Sequence, residues 1–311
     1  MPRAIVLDCD PGHDDAIALL LAHGNPAVEL AAITTVAGNS TLANVTRNAL
    51  AVATLAGIRD VPIAAGCDRP LLREPIVAAD IHGASGLDGT ELPEPTVPLD
   101  PRHGVDLIID TVLAAEPGEL TLVPTGPLTN IALAIRREPR IVSRVREVVL
   151  MGGAYTRGNV TPAAEFNIAV DPEAAAAVFA ADWPVTMVGL DLTHQALATP
   201  EVLARIAGLG TPVARAVHEL LRFFRTSYRA GQGMADPPVH DPCAVARVIA
   251  PEIVQVVEAF VTVETQGRWT SGMTVTDFGN SLGNPHNTLV ATRLDVDRFW
   301  DLVVHALTAI G

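Results

Sequence analysis

A chain of 311 residues, nearly half of them apolar, can bury the core of one large α/β domain or of two ordinary ones. Its net charge of −14 argues against nucleic acid and anionic membrane surfaces as partners, since both demand a basic face. No uncharged apolar run reaches the ~18 residues of a membrane span, and the opening MPRAIVLDCDP does not read as a signal peptide. With three scattered cysteines, Cys9, Cys67 and Cys243, suited to a reducing compartment, a soluble cytoplasmic protein is expected.

Apolar and partly β-branched, residues 4–9 predict a buried strand, and residues 14–23 predict a helix opened by acidic residues. Pro11 and Gly12 supply the turn between them. Asp8, Asp10, Asp14 and Asp15 crowd this junction, in VLDCDPGHDDA. Two ionised carboxylates ~4 Å apart repel by roughly 4 kcal/mol at an effective dielectric of about 20. Either some of the four hold protons, or a divalent cation sits among them. Favourable placement at a helix N-terminus accounts for Asp14 and Asp15 but poorly for all four. The same negative field makes Cys9 a poor nucleophile, and it reads as a core-facing residue at the strand end.

Alternation continues with a strand over 30–36, a helix over 41–56, a short strand over 61–65 and a helix over 104–115. A strand over 120–124 follows, then a helix beginning near Leu128. Residues 148–151, 185–189, 254–264 and 289–294 read as further strands, before a closing helix near 296–307. The pattern predicts an α/β fold of βαβ units, with a mostly parallel central sheet flanked by helices. Without a low-complexity linker, composition break or internal repeat, a single domain over residues 1–311 is expected. Three loops, 79–95, 152–167 and 226–240, are longer than compact connections need and suit lids or binding loops.

A second acidic position comes from far along the chain. Asp241, in PPVHDPCAVA, is an N-cap by the simplest reading, yet it sits at a plausible strand–helix junction like the others. Thr125, in LVPTGPLTN, ends another predicted strand, so its carbonyl could face the same sheet edge. Hard oxygen donors of this kind suit Ca²⁺ or Mg²⁺ rather than zinc, and Ca²⁺ tolerates mixed carboxylate, carbonyl and hydroxyl sets. Asn159, Glu165 and Asn167, on a loop after a predicted strand, supply the donors and acceptors that a polyol such as ribose requires. A surface loop rich in Asn and Gly is the structural alternative for that segment.

Taken in order, DCDPGHDDA, VAGNSTLANVTRNAL, PTGPLTN, MGGA, GNVTPAAEFN, HDPCAVA and SGMTVTD resemble the nucleoside hydrolases, specifically the inosine–uridine-preferring N-ribohydrolases. The likeness covers nearly the whole chain and implies that family's fold, with a Rossmann-like core. It implies a Ca²⁺ held by Asp10, Asp15, Asp241 and the Thr125 carbonyl, with Asp10 as general base on a metal-bound water. Asp14, Asn159, Glu165, Asn167 and Asp241 match ribose-binding positions, with Asn39 supporting the cluster. His82, Met151, Phe166 and His240 match positions around the nucleobase or the C5′ side, and Phe224 and Tyr228 an aromatic pair near the base. His240 is either the acid that protonates the departing base or a wall of the pocket. Phe224 stands where well-known members carry tyrosine, which favours uridine or cytidine over inosine. Relatives of this kind form dimers or tetramers, so a homo-oligomer is expected.

The chemistry agrees with the resemblance. Cleaving an N-glycosidic bond passes through an oxocarbenium-like ribose, which a carboxylate-rich pocket stabilises. Two other readings compete. A haloacid-dehalogenase-like phosphatase would use Asp8 and Asp10, but it expects Thr or Val where Gly12 stands and a later lysine, and the chain contains none. A non-catalytic, calcium-stabilised nucleoside-binding protein would keep the pocket without turnover.

Overall fold

The computed structural model describes residues 2–311, and among them a nine-stranded sheet forms. Its strands are β1 (Arg3–Cys9), β2 (Val28–Thr35), β3 (Ile63–Ala65), β4 (Leu120–Pro124), β5 (Glu147–Met151), β6 (Val185–Val188), β7 (Val254–Val263), β8 (Thr274–Asp277) and β9 (Thr288–Leu294). They lie in the order β3-β2-β1-β4-β5-β6-β9-β7-β8. Every pairing from β3 across to β9 is parallel, while β7 runs antiparallel to both β9 and β8. The mostly parallel sheet expected from the alternation is therefore present.

Around the sheet pack α1 (His13–Gly24), α2 (Leu42–Leu55), α3 (Ala79–His82), α4 (Gly104–Ala114), α5 (Thr129–Arg137), α6 (Phe166–Val170) and α7 (Pro172–Phe179). They are joined by α8 (Leu190–Thr193), α9 (Pro200–Ala207), α10 (Pro212–Gly231), α11 (Asp241–Ile249) and α12 (Val296–Ile310). One buried apolar cluster holds Leu19, Leu221, Val245 and Phe299. A second holds Ile108, Leu122, Ile131 and Val178. Coverage of both faces explains why the parallel strands read as apolar runs instead of alternating.

The chain steps from β1 to β2 and β3 on one side, then returns to place β4 on the other side of β1. Such a reversal opens a crevice beyond the carboxyl ends of the two central strands, where open α/β sheets bind ligands. Asp8 stands opposite Thr34 of β2 and Pro124 of β4, so the residues after Cys9 and after Pro124 emerge together at that crevice.

Some sequence expectations change. The loop expected over 226–240 begins later, because α10 runs on to Gly231. Its buried residues Val217, Leu220, Leu221, Phe224 and Tyr228 recur at helical spacing, with Thr211 capping the start. The segments 79–95 and 152–167 are largely irregular as expected, although α3 sits within the first and α6 begins at the end of the second. Asp241 follows no strand. It opens α11 after a stretch bearing only an isolated bridge from Leu197 to Pro238. β8, α8 and α9 are too short for periodicity to reveal.

Phe299 of α12 is fully buried in the apolar cluster that also contains Leu19. Phe299→Ala should destabilise the protein by about 3–5 kcal/mol. Chemical unfolding checks this, and a loss under ~1 kcal/mol would show that α12 is not part of the same cooperative core.

Candidate active site

The crowded aspartates separate into layers. Asp8 lies within the sheet, where its Oδ1 accepts from Thr34 Oγ1 at 2.6 Å and from Asn130 Nδ2 at 2.7 Å. It ties β1 to its neighbours and faces no cavity. Asp10 is fully buried just past the strand, its Oδ2 accepting from the Asn39 backbone N–H at 2.7 Å. Its Oδ1 has no hydrogen-bond partner among the described residues. Gly38 and Gly126 flank this carboxylate, and a Cβ at either position would lie 2.2 Å and 2.7 Å from its oxygens. Only glycines let the two backbones close around it.

Asp14 and Asp15 open α1, and Asp241 opens α11; ligand oxygens of the three lie within 4.8 Å of one another. Asp15 accepts from the N–H of Gly12 at 3.1 Å, from Asn39 Nδ2 at 3.1 Å and from Thr125 Oγ1 at 2.9 Å. Asp14 Oδ2 accepts from the His240 backbone N–H at 2.9 Å. Burial pushes the Asp14 carboxyl up to about 7, and the Asp15 charge adds to it. Burial likewise lifts Asp10 and Asp241 well above the usual carboxylate range, with neighbouring aspartates next in weight. No ion pair among the described residues involves any of these groups.

Above them lies a cavity of about 300 Å³. Its floor is formed by Asp14, Asn39, Thr125 and Asp241, and one wall by Met151, Asn159, Glu165, Phe166 and Asn167. Glu165 caps α6 by accepting from Asn167 and Ile168 N–H, and burial raises its carboxyl to about 7. Asn167 Nδ2 donates to the Thr125 carbonyl at 2.7 Å, and Asn159 Oδ1 accepts from Phe166 N–H at 2.9 Å. The opposite wall carries His82, Phe224, Tyr228 and His240. Both ring nitrogens of His240 are engaged, Nδ1 with Thr193 Oγ1 and Nε2 with Tyr228 OH, each at 2.7 Å. Burial drives its pKa down to about 3, so the ring is neutral at pH 7.

Every residue to which the resemblance gives a site role lies at this one place, lining the cavity or, for Asp10 and Asp15, hydrogen-bonded to residues that line it, whereas Asp8 does not. The tightest carboxylate set is Asp14, Asp15 and Asp241, with Asp10 behind them. Sequence reasoning missed His13, Ile76, Val77, Thr193 and Gln232. Gln232 was within reach, since it continues the i, i+4 row of Phe224 and Tyr228. His13 and Thr193 carry no such signal, because the partners that give them meaning are 69 and 47 residues away.

The donor set suits a divalent cation. The carboxylates are clustered and all-oxygen, no arginine neutralises them, and Asp10 keeps an unpartnered buried oxygen. The three-carboxylate cluster could therefore hold a metal ion.

A sheet of this topology, with an acidic floor at its switch point, defines an α/β enzyme site for a polar, hydroxyl-bearing ligand. The chain belongs to the inosine-uridine preferring nucleoside hydrolase family, whose sequence profile matches residues 5–301. It is 56% identical over 312 aligned positions to the inosine-uridine preferring nucleoside hydrolase of Crithidia fasciculata, covering 100% of this chain and 99% of that one. It is 47% identical to the pyrimidine-specific ribonucleoside hydrolase RihA of Photobacterium profundum, covering 99% of each. Among solved structures, it superposes on a purine-preferring ribonucleoside hydrolase from Gardnerella vaginalis with a TM-score of 0.92, at 33% identity over 99% of both chains. The protein is a nucleoside hydrolase, an enzyme of nucleoside metabolism. The phosphatase reading is set aside.

In cation-free protein the native state retains carboxyl protons up to about pH 7, whereas the unfolded chain loses them near pH 4. Between those values and slightly above, the folded state binds more protons, so stability falls as pH rises. Buried His13, His82 and His240 work in the opposite sense, but only below about pH 6.5. The melting temperature of chelator-treated protein should therefore fall from about pH 6.5 to 8. Added Ca²⁺ or Mg²⁺ should raise it and flatten the slope. A rising Tm in chelator, or no response to either cation, would contradict this reading of the cluster.

Proposed function

We propose that the cavity binds the ribose of a ribonucleoside against the carboxylate floor and hydrolyses its N-glycosidic bond, with Ca²⁺ held by Asp10, Asp15, Asp241 and the Thr125 carbonyl. When bound, such a cation lowers the pKa of adjacent water and orients vicinal hydroxyls. The observation that carries the reading is the convergence of Asp14, Asp15 and Asp241 beneath a cavity whose wall offers Asn159, Glu165 and Asn167. Asp10, held by Asn39 with one oxygen free, takes the proton of the attacking water. Asp14, Glu165, Asn167 and Asp241 grip the sugar hydroxyls and stabilise positive charge developing on the ribose. Acting as a unit, Tyr228 and His240 supply a hydroxyl and a neutral imidazole beside the departing base, with His240 as its acid or its wall. His82, Met151, Phe166 and Phe224 enclose the base and the C5′ side.

Charge argues for a nucleoside over a nucleotide. A 5′-phosphate would meet Asp14, Asp80, Glu165 and Asp241, and no arginine lines the cavity. For the base, we favour uridine or cytidine over inosine. Phe224 provides a ring face without a hydroxyl to protonate a purine nitrogen. The Crithidia relative is inosine-uridine preferring and the Photobacterium relative pyrimidine-specific, and uridine, a pyrimidine nucleoside, fits both descriptions. We further propose that the chain acts as one domain over 1–311, in the cytoplasm, as a homo-oligomer. Exposed Leu72 and Trp269 are consistent with self-association.

The deciding experiment is ribose release from a nucleoside panel, with and without chelator. Uridine should turn over faster than inosine, and 2′-deoxyuridine should fall by as much as ~10⁴ because the polar groups meant for the missing hydroxyl are left unpaired. Chelator should abolish turnover and Ca²⁺ restore it. Tight nucleoside binding without ribose release would instead mark a non-catalytic binding protein.

Asp10→Asn should keep the fold and lose ~10²–10⁴ in kcat, since an amide cannot take the water proton. Cation content must be measured in the same preparation. Near wild-type turnover in a loaded variant would remove Asp10 from the role of base.

A further inference from the structure

The motif SGMTVTD, residues 271–277, takes no part in the site above, yet one of its side chains holds the segment beside that site. Thr274 opens β8 and is buried. Its Oγ1 accepts from the Ala154 backbone N–H at 2.9 Å and donates to the Ala154 carbonyl at 2.7 Å. An N–H only donates and a carbonyl only accepts, so the direction of both bonds is fixed. One hydroxyl therefore gives Ala154 the double contact that a paired strand residue would give. Neither backbone group has another partner among the described residues. The Thr274 methyl closes on Gly153, whose φ is +78° and where a Cβ would lie 2.8 Å from Thr274 Cγ2.

That grip bears on the sugar wall through the preceding residue. The Gly153 N–H donates to Glu165 Oε2 at 3.0 Å. The other donors to this carboxylate are the N–H groups of Asn167 and Ile168, at 2.9 Å and 3.1 Å. Both belong to α6, which Glu165 itself caps, so they move with it. Gly153 is the donor that ties the carboxylate to the sheet, since β5 ends two residues earlier at Met151. We propose that Thr274 is a positioning residue, which holds Gly153 and Ala154 so that the Gly153 N–H fixes Glu165 facing the ribose hydroxyl it binds. Without the Thr274 hydroxyl, the Ala154 N–H and carbonyl are left buried and unpaired, and the turn at Gly153 relaxes to recover partners for them. This inference rests on the reading of Glu165 as a sugar-binding group, but the contact between Thr274 and Ala154 does not depend on it.

The test compares Thr274→Val, which keeps the shape, with Thr274→Ser, which keeps the hydroxyl, at equal cation content. Amide exchange comes first, because it needs no substrate. Wild type and Thr274→Ser should protect the Ala154 N–H, and Thr274→Val should exchange it at least ~10-fold faster. An unprotected Ala154 in wild type, or equal protection in all three proteins, overturns the proposal whatever the activity. For uridine, Thr274→Val should raise KM by about 5- to 10-fold with kcat changed less, and Thr274→Ser should stay within about 2-fold of wild type. If Thr274→Val does not fold, Thr274→Ala takes its place with the same expectations, and an equal loss in Thr274→Ser overturns the proposal. The 2′-, 3′- and 5′-deoxy analogues of uridine are then measured as its competitors. The analogue that lacks the hydroxyl held by Glu165 should bind wild type and Thr274→Val equally, while the other two weaken as uridine does. An equal weakening of all three, or of none, would mean that Thr274 only supports the loop, and would overturn the proposal. A wild type that releases ribose from no nucleoside removes the sugar role and the proposal with it, while a protected Ala154 still marks the contact.

Discussion

Buried like charge is the constraint around which this molecule is arranged. Asp10, Asp14, Asp15 and Asp241 are all nearly inaccessible, and three of them bring oxygens within 4.8 Å of one another. At that separation each ionised pair costs roughly 3 kcal/mol at an effective dielectric of about 20. Arginine could relieve the repulsion, but none is paired with them, and the chain contains no lysine. The protein instead supplies hydrogen-bond donors, from Gly12, Asn39, Thr125 and the His240 backbone. Those contacts hold the carboxylates in place without neutralising them. A divalent cation, or an electron-poor sugar, is what the resulting field attracts.

The rest of the fold serves to hold that field still. Parallel strands buried on both faces make β1 and β4 rigid, and the switch in strand order opens the crevice at their carboxyl ends. Glycines 38 and 126 allow two loops to approach Asp10 more closely than any side chain permits. α10 then brings Phe224 and Tyr228 to one wall, so the cavity has an acidic floor and an aromatic, neutral side. That polarity matches a nucleoside, whose sugar is rich in hydroxyls and whose base is flat and weakly polar. Neutral His240, held by Thr193 and Tyr228, adds proton-transfer capacity without adding charge.

Much of this was legible in the chain. The opening run VLDCDPGHDDA marks a strand, a turn and a helix start, because apolar periodicity, Pro-Gly and acidic N-terminal residues are local signals. Thr125 at the end of β4 followed from the same reasoning, and the structure confirms the strand. Less was available for Asp241, which reads as lying after a strand but follows an irregular segment. Nor could spacing distinguish Asp8 from its neighbours. Asp8 is claimed by Thr34 and Asn130, and the latter is 122 residues away.

What the sequence by itself determined is the alternation of elements, the mostly parallel sheet and the residue types that meet at its edge. Each depends on interactions within a few residues or on a motif carried whole. Only the tertiary structure decided which carboxylates share a site and which one ties strands together. It alone showed that Asp10 keeps an oxygen free, that His240 is engaged through both nitrogens, and that His13 faces His82. The physical reason is that hydrogen-bond partnership and burial are set by contacts between segments far apart in the chain, and the charge and tautomer of a buried group follow from those contacts and not from its own identity.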